Sequence, residues 1–220
     1  MPRTIAIGDI HGCLKALETI LQAMDLQPSD TVITIGDYVD RGPDSKGVID
    51  RLIQLKDQVT LIPLLGNHEE MMLEALDKQA EPYDWFMHGG AKTMESYGFE
   101  GDPSVVPQSH LEFLRGLKPY YETDTHFFVH ANYDPRVPLA DQPPQLLRWI
   151  KLTDRMPGPH QSRKKAILGH THDPEGQIFR LPHLICIDTY CYGGRWLTAM
   201  DVQSDSIWQA NLEGELVTSP

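Results

Sequence analysis

Thr31-Val32-Ile33-Thr34-Ile35-Gly36-Asp37-Tyr38-Val39-Asp40-Arg41-Gly42 is the stretch on which the fold turns. Five β-branched residues in a row make a short buried strand. Glycine then releases the backbone into a loop carrying two aspartates and an arginine. Beyond the loop the period changes. Val48, Leu52 and Leu55 fall at helical spacing and predict a helix from about Asp44 to Leu55, and Val59 to Leu65 is again a strand. Upstream, Thr4 to Gly8 reads as a strand, and Leu14, Leu17, Leu21 and Met24 mark a helix of roughly Cys13 to Met24. Gln27-Pro28-Ser29-Asp30 makes the turn. Strands separated by helices of this length imply βαβ units and a parallel sheet.

Further along, Glu69 to Lys78 is helical, Tyr83 to Tyr97 is a helix interrupted at Gly89-Gly90, Asp102 to Pro107 is a loop, and His110 to Leu117 is a short helix. The proline-rich, acidic stretch Asp134 to Pro144 reads as a surface loop. Strands are expected at His126 to His130, Ala166 to Leu168, Leu184 to Ile187, Trp196 to Val202 and Ser206 to Asn211. The last two form a hairpin over Gln203-Ser204-Asp205. Pattern alone therefore yields an α/β chain with an antiparallel terminal portion. Its 220 residues suit a single domain, 1–220.

A hydrophobic content of 40% is enough for a buried core. No apolar run reaches the length of a membrane span, and the apolar stretch near the N-terminus is too short for a secretory signal. Cys13, Cys186 and Cys191 make no zinc-type pair and read as thiols in a reducing compartment, so a cytoplasmic protein is expected. The formal charge of −12, with no basic stripe, argues against nucleic acid as a partner. It does not argue against phosphate chemistry, because bound cations would reverse the field locally.

Five segments share one layout, in which a strand ends and His, Asp or Asn follows beside Gly. They are Gly8-Asp9-Ile10-His11-Gly12, Gly36 to Gly42, Gly66-Asn67-His68-Glu69, His130-Ala131-Asn132, and Gly169-His170-Thr171-His172. In α/β sheets ligands bind beyond the carboxyl ends of strands, so the five can converge. Carboxylate, imidazole and amide oxygen without thiolate suit manganese, iron or zinc. Asp9 and His11 can reach one metal, Asp37 can bridge two, and Asn67, His130 and His170 can complete the second. Two divalent cations about 3.5–4 Å apart would activate a bridging water for in-line attack on phosphorus. Singly, each segment reads as a turn or a surface histidine. Five in order do not.

These segments resemble the phosphoprotein phosphatase family of the calcineurin-like metallophosphoesterases, whose signature runs GDxHG, GDxVDRG, GNHE, a strand-end His and a later GH. The resemblance spans residues 8 to 172 and is nearest to compact bacterial serine/threonine phosphatases. Trp85 to Thr93, Ser96-Tyr97-Gly98 and the stretch from Ile187-Asp188-Thr189 to Gly193-Gly194 also look like those proteins. It implies an α/β sandwich of two mixed β-sheets facing each other, flanked by helices in four layers. It implies His68 as general acid, Asp40 as the carboxylate orienting it, and Arg41 as a phosphate clamp, with Asn67 also touching phosphate. The expected substrates are phosphorylated proteins or small phosphoesters, with two manganese ions as cofactor.

Two departures stand out. His172 follows the GH motif, as in the wider superfamily, and is either a further ligand of the first metal or an exposed loop histidine. The second phosphate-binding arginine of the family falls on Lys151 in one register of Leu147-Arg148-Trp149-Ile150-Lys151 and on Arg148 in the other. Diadenosine tetraphosphate hydrolases share the first three motifs and are the rival reading; a non-catalytic scaffold would carry a degraded site, which this is not. His88, His110, His126, His160 and His183 are given no role, and Arg163-Lys164-Lys165 reads as a solvated edge.

Overall fold

The computed structural model describes residues 2–101 and 103–217; Asp102, where the expected 102–107 loop begins, and the extreme ends of the 1–220 span lie outside the described residues. The first part alternates β1 (Thr4–Ile7), α1 (Leu14–Ala23), β2 (Thr31–Thr34), α2 (Ser45–Leu55), β3 (Thr60–Pro63) and α3 (Asn67–Leu76). There follow α4 (Pro82–Trp85), a π-helical turn (Phe86–Gly90), α5 (Ala91–Ser96) and α6 (Gln108–Arg115). The remainder holds β4 (Tyr120–Glu122), β5 (His126–Val129), α7 (Pro144–Arg148), β6 (Lys165–Leu168), β7 (Phe179–Leu181), β8 (Leu184–Cys186), β9 (Leu197–Asp201) and β10 (Ile207–Ala210).

Two mixed five-stranded sheets result, in the orders β10-β9-β1-β2-β3 and β4-β5-β6-β8-β7. The centres are parallel: β1 with β2 and β2 with β3 in one sheet, β5 with β6 and β6 with β8 in the other. The pairs β9 with β1, β10 with β9, β4 with β5 and β7 with β8 are antiparallel. Side chains alternate with the period of two that a strand imposes. Ala6, Ile33, Phe128, Ile167, Ile185 and Met200 meet between the sheets. Ile5, Ile7 and Val32 face the helices on the other side of the first sheet. Full burial of an Ile, Val or Phe is worth about 1.5–3 kcal/mol. A one-residue slip would turn each of these to the wrong face, which is why the register is fixed.

The cover is unequal. The first sheet is roofed by α1 and α2, whose buried faces are Ala16, Leu17, Ile20, Leu21 and Val48, Ile49, Leu52, Leu55. Asp44 caps α2 by accepting the Gly47 N–H at 2.7 Å. The outer face of the second sheet is covered by Tyr133, Leu139, Leu147 and Leu152, from a largely irregular segment that includes α7. The stretch expected as a surface loop, Asp134 to Pro144, is thus partly internal. Gln142 is buried because its side chain satisfies the Asp134 N–H and the carbonyls of Asp134 and Val137. The expected 83–97 helix is broken where Gly89 turns to φ 114°. The strands β4 and β7, with three residues each, were too short to show a period. No helix among the described residues is long and apolar enough to cross a membrane.

Candidate active site

The loops after β1, β2, β3, β5, β6 and β8 gather at one end of the sandwich. Among the described residues ten non-glycine residues have positive φ, and six of them are here: His11, Asp37, Asp40, Arg41, His170 and Tyr190. Left-handed backbone at such residues costs about 1–3 kcal/mol each and persists only where the surroundings dictate it. They do. The Asp37 carbonyl accepts the N–H groups of Ile10 (3.0 Å) and His11 (2.8 Å), joining the first two loops. The Glu69 carboxylate, fully buried on the first turn of α3, accepts N–H groups from Gly66 (3.1 Å), Asp37 (2.9 Å), Tyr38 (2.6 Å) and Val39 (3.2 Å). Burial, then the charge of Asp37, pushes the Glu69 carboxyl up to about 8. Glu69 lay inside a motif, but nothing in the sequence marked it as the organiser of another loop.

Asp37 stands between two groups of side chains. His11, Asp37 and His68 offer ligand atoms within 4.8 Å of one another, and so do Asp37, His130 and His170. Asp37 Oδ2 lies 3.4 Å from His11 Nε2, and Oδ1 lies 3.4 Å from His130 Nε2. Asn67 Oδ1 is 3.1 Å and His170 Nδ1 is 3.2 Å from the same His130 nitrogen. Each of these three histidines is oriented by a backbone carbonyl on its far side. His11 Nδ1–H donates to Val39 O (2.9 Å), His130 Nδ1–H to Ile35 O (3.0 Å), and His170 Nε2–H to Trp149 O (3.0 Å). This fixes the tautomers and turns a lone pair inward from each ring, that of His11 meeting Arg41 Nη1 at 3.1 Å.

The consequence is a test of whether cations fit. Around His130 the lone pairs of His130 and His170, the Asn67 oxygen and Asp37 Oδ1 crowd together, and burial pushes the Asp37 carboxyl up to about 7. Burial keeps the rings neutral, pushing His130 and His170 down to about 3 and His11 well below its ordinary value. Asp9 stands alongside: its Oδ2 accepts the His170 N–H at 2.9 Å, while the buried Oδ1 has no partner. A Cβ on Gly169 would come within 2.0 Å of that oxygen, so only glycine admits it. An electron-rich nest of neutral imidazoles, amide oxygen and carboxylates with an orphaned acceptor is what divalent cations satisfy.

Beside the nest, His68 Nδ1–H donates to Asp40 Oδ2 at 2.6 Å, and its Nε2 faces Asp37 Oδ2 at 3.9 Å. Asp40 is completely buried, and it also accepts from Thr93 Oγ1 (2.6 Å) and Trp85 Nε1 (3.0 Å). Burial pushes its carboxyl above the ordinary range and the His68 imidazolium below it. Arg41 donates from Nη1 to His11 Nε2 (3.1 Å) and to the Tyr192 hydroxyl (2.8 Å). Trp85, Thr93 and Tyr192 lie in segments whose resemblance was read from sequence, but their roles were not, because what they touch from the inserted α4–α5 segment and the turn after β8 is visible only in space.

The remaining predicted residues are placed less centrally. His172 belongs to neither ligand group; its ring stacks on Tyr190 with centroids 4.2 Å apart and planes at 10°. Arg148 is ion-paired with Glu70, which also receives Trp149 Nε1 at 2.6 Å. Lys151 is exposed, and its charge is felt by His170 and His172. Asp188, unassigned from sequence, is buried beside Asp9, and burial pushes its carboxyl up to about 7.

The sequence profile of the calcineurin-like phosphoesterases matches residues 2–211. The chain belongs to that family. Among its relatives, serine/threonine-protein phosphatase 1 of Salmonella typhimurium is 28% identical over 152 residues, 67% of this chain and 63% of the relative. The symmetrical bis(5'-nucleosyl)-tetraphosphatase of Nitrosomonas europaea is 29% identical over 173 residues, 77% of this chain and 60% of the relative. These matches span less than two thirds of either relative's own length. A solved structure described as a candidate diadenosine tetraphosphatase shares the fold with a TM-score of 0.73 at 23% identity, over 96% of this chain and 95% of that one.

Proposed function

We propose that this calcineurin-like phosphoesterase is a metal-dependent phosphatase that hydrolyses phosphomonoesters, with phosphorylated serine, threonine or tyrosine side chains of proteins as substrates. The observation that carries the hydrolytic reading is the His68–Asp40 pair, buried at 2.6 Å beside the Asp37 nest. Asp9, His11 and Asp37 would hold one cation and Asp37, Asn67, His130 and His170 the other, manganese by preference, with iron or zinc suited to the same donors. Such cations would supply Lewis acidity and an activated water. The protein supplies the rest. Arg41, with Asn67, orients the phosphoryl group. His68 Nε2 gives its proton to the leaving oxygen, and Asp40 stabilises the imidazolium that must exist before that transfer.

The surface next to the site favours a protein substrate. A groove of about 300 Å³ lined by Met71, Glu74, Glu81, Asp84, His88 and Trp149 adjoins it, sharing Trp85 with the Asp40 carboxylate. Its carboxylates would repel the additional phosphates of a dinucleoside polyphosphate. The dinucleotide reading is kept by relatives such as the tetraphosphatase of Acidovorax sp., 47% identical over 70 residues. A panel of phosphopeptides, p-nitrophenyl phosphate and diadenosine tetraphosphate, at equal concentration with manganese, separates the two. Preference for the dinucleotide by more than about tenfold, some 1.4 kcal/mol in transition-state binding, overturns the proposal.

A further inference from the structure

Arg41 is restrained from several directions at once. Its Nη1 is tied to the Tyr192 hydroxyl at 2.8 Å, and the guanidinium carbon lies 4.7 Å from the centroid of the Tyr192 ring; the second contact of Nη1, to His11 Nε2 at 3.1 Å, would give way to a cation held by that nitrogen. Its backbone is left-handed, with φ 68°, and its N–H reaches the Gly89 carbonyl at 3.4 Å. Among the described residues, Nε and Nη2 have no hydrogen-bond partner. These two nitrogens form the side edge of the guanidinium, which matches two oxygens of a phosphoryl group. The tie at Nη1 therefore leaves free the edge that bidentate recognition uses.

Tyr192 is itself fixed. It sits in the turn Cys191–Gly193 and packs edge-on against His11 (4.7 Å) and Tyr190 (4.8 Å). Tyr190 is pinned in turn by its stack on His172 and by a left-handed backbone at φ 63°. Burial raises the phenol's pKa above its ordinary value, so Tyr192 presents a neutral hydroxyl. An arginine left to itself samples many rotamers and loses that freedom when it grips phosphate; one already held loses less.

We propose that Tyr192 is a positioning residue for Arg41, its hydroxyl and ring aiming the Nε/Nη2 edge at the phosphoryl group. This rests on the reading of Arg41 as the phosphate clamp. The test compares wild type, Tyr192→Phe, Arg41→Ala and the double variant, all loaded with manganese. The readouts are calorimetric binding of inorganic phosphate, KM and kcat for p-nitrophenyl phosphate, and the melting temperature. Tyr192→Phe keeps the ring and removes one hydrogen bond, so phosphate Kd and KM are expected to rise roughly 3- to 10-fold, with a smaller change in kcat and the same melting temperature. Tyr192→Leu, which also loses the ring, is expected to weaken phosphate further. In the Arg41→Ala background, Tyr192→Phe is expected to do nothing more. An equal effect in both backgrounds, or none in either, overturns the inference and leaves Arg41 as the clamp. Unchanged phosphate binding in Arg41→Ala alone removes the clamp and the inference together.

Discussion

His68 and Asp40 meet at 2.6 Å, from Nδ1 to Oδ2, in a spot where neither side chain is more than 1% exposed. Their loops are 28 residues apart, and Thr93 and Trp85 complete the carboxylate's hydrogen bonds from a third segment. A pair so enclosed has one inward-facing nitrogen, Nε2. His68→Asn and Asp40→Asn should each lower kcat by roughly 10²- to 10⁴-fold, the usual range for general acid–base residues. Metal content, measured by elemental analysis after gel filtration, should remain at the wild-type level. Turnover unchanged in His68→Asn would remove it from the chemistry.

The crowded acceptors around Asp37 predict that cations stabilise the fold. Manganese at 100 times its Kd adds about 2.7 kcal/mol. For a chain of this length each kcal/mol moves Tm by about 2–4 °C. Chelated protein should therefore melt roughly 5–10 °C below the loaded form for each cation held, and His130→Ala should lose the part due to the cation it helps to hold. Scanning calorimetry with and without chelator reads it directly; coincident melting curves would contradict the donor geometry.

Gly89 lies under Arg41. A Cβ there would stand 2.7 Å from the Arg41 nitrogen and 2.9 Å from its Cγ, on a backbone at φ +114° that L side chains rarely adopt. Gly89→Ala should displace Arg41 and lower kcat/KM by about 10- to 100-fold, as small misplacements of a substrate-gripping group do. The comparison is steady-state kinetics on a variant whose circular dichroism matches wild type. Wild-type kcat/KM would show that Arg41 tolerates the shift.

A pH effect on stability follows from Arg3 and Asp30, at the opposite end of the strands from the metal nest. Burial alone would raise the Asp30 carboxyl, but Arg3 Nε (3.1 Å), the Arg3 N–H (3.1 Å) and the Gln27 N–H (2.9 Å) all donate to it, and the net shift is downward. A carboxyl depressed on folding stabilises the protein above its unfolded pKa, near 3.9, and the contribution fades as pH falls through the folded value. Asp30→Asn should cost about 1–3 kcal/mol at pH 7, and the gap should narrow from about pH 5 downward. Urea unfolding at stepped pH measures it; a gap that widens on acidification would reverse the sign.

What could be read from the chain, and what could not, divides along physical lines. The strand at Thr31 and the helix at Val48, Leu52 and Leu55 were visible because burial leaves a period in sequence. The edge strands Tyr120–Glu122 and Phe179–Leu181 were not, since three partly exposed residues show neither a period nor the continuous apolar run that marks Leu184–Cys186. Asp37, His130 and His170 were legible as ligand types at strand ends, whereas their supporting carbonyls at Ile35 and Trp149 have no side-chain signature. Gln142 looked like a loop residue because its polarity suggests exposure; its amide instead replaces water for the loop's own backbone. Tyr192, 151 residues from the arginine it holds, is visible only in three dimensions.

Glu69 has a bearing on motion. A loop between a strand and a helix ordinarily opens readily, at little cost in free energy. Here the N–H groups of Asp37, Tyr38 and Val39 end on a carboxylate rooted in the first turn of α3. They can reach water only when that turn lets go. The loop between β2 and α2 and the start of α3 should therefore form one opening unit, and Asp37 belongs to it. The segment that carries Asp37 is thereby expected to exchange its amides as slowly as the helix that anchors it.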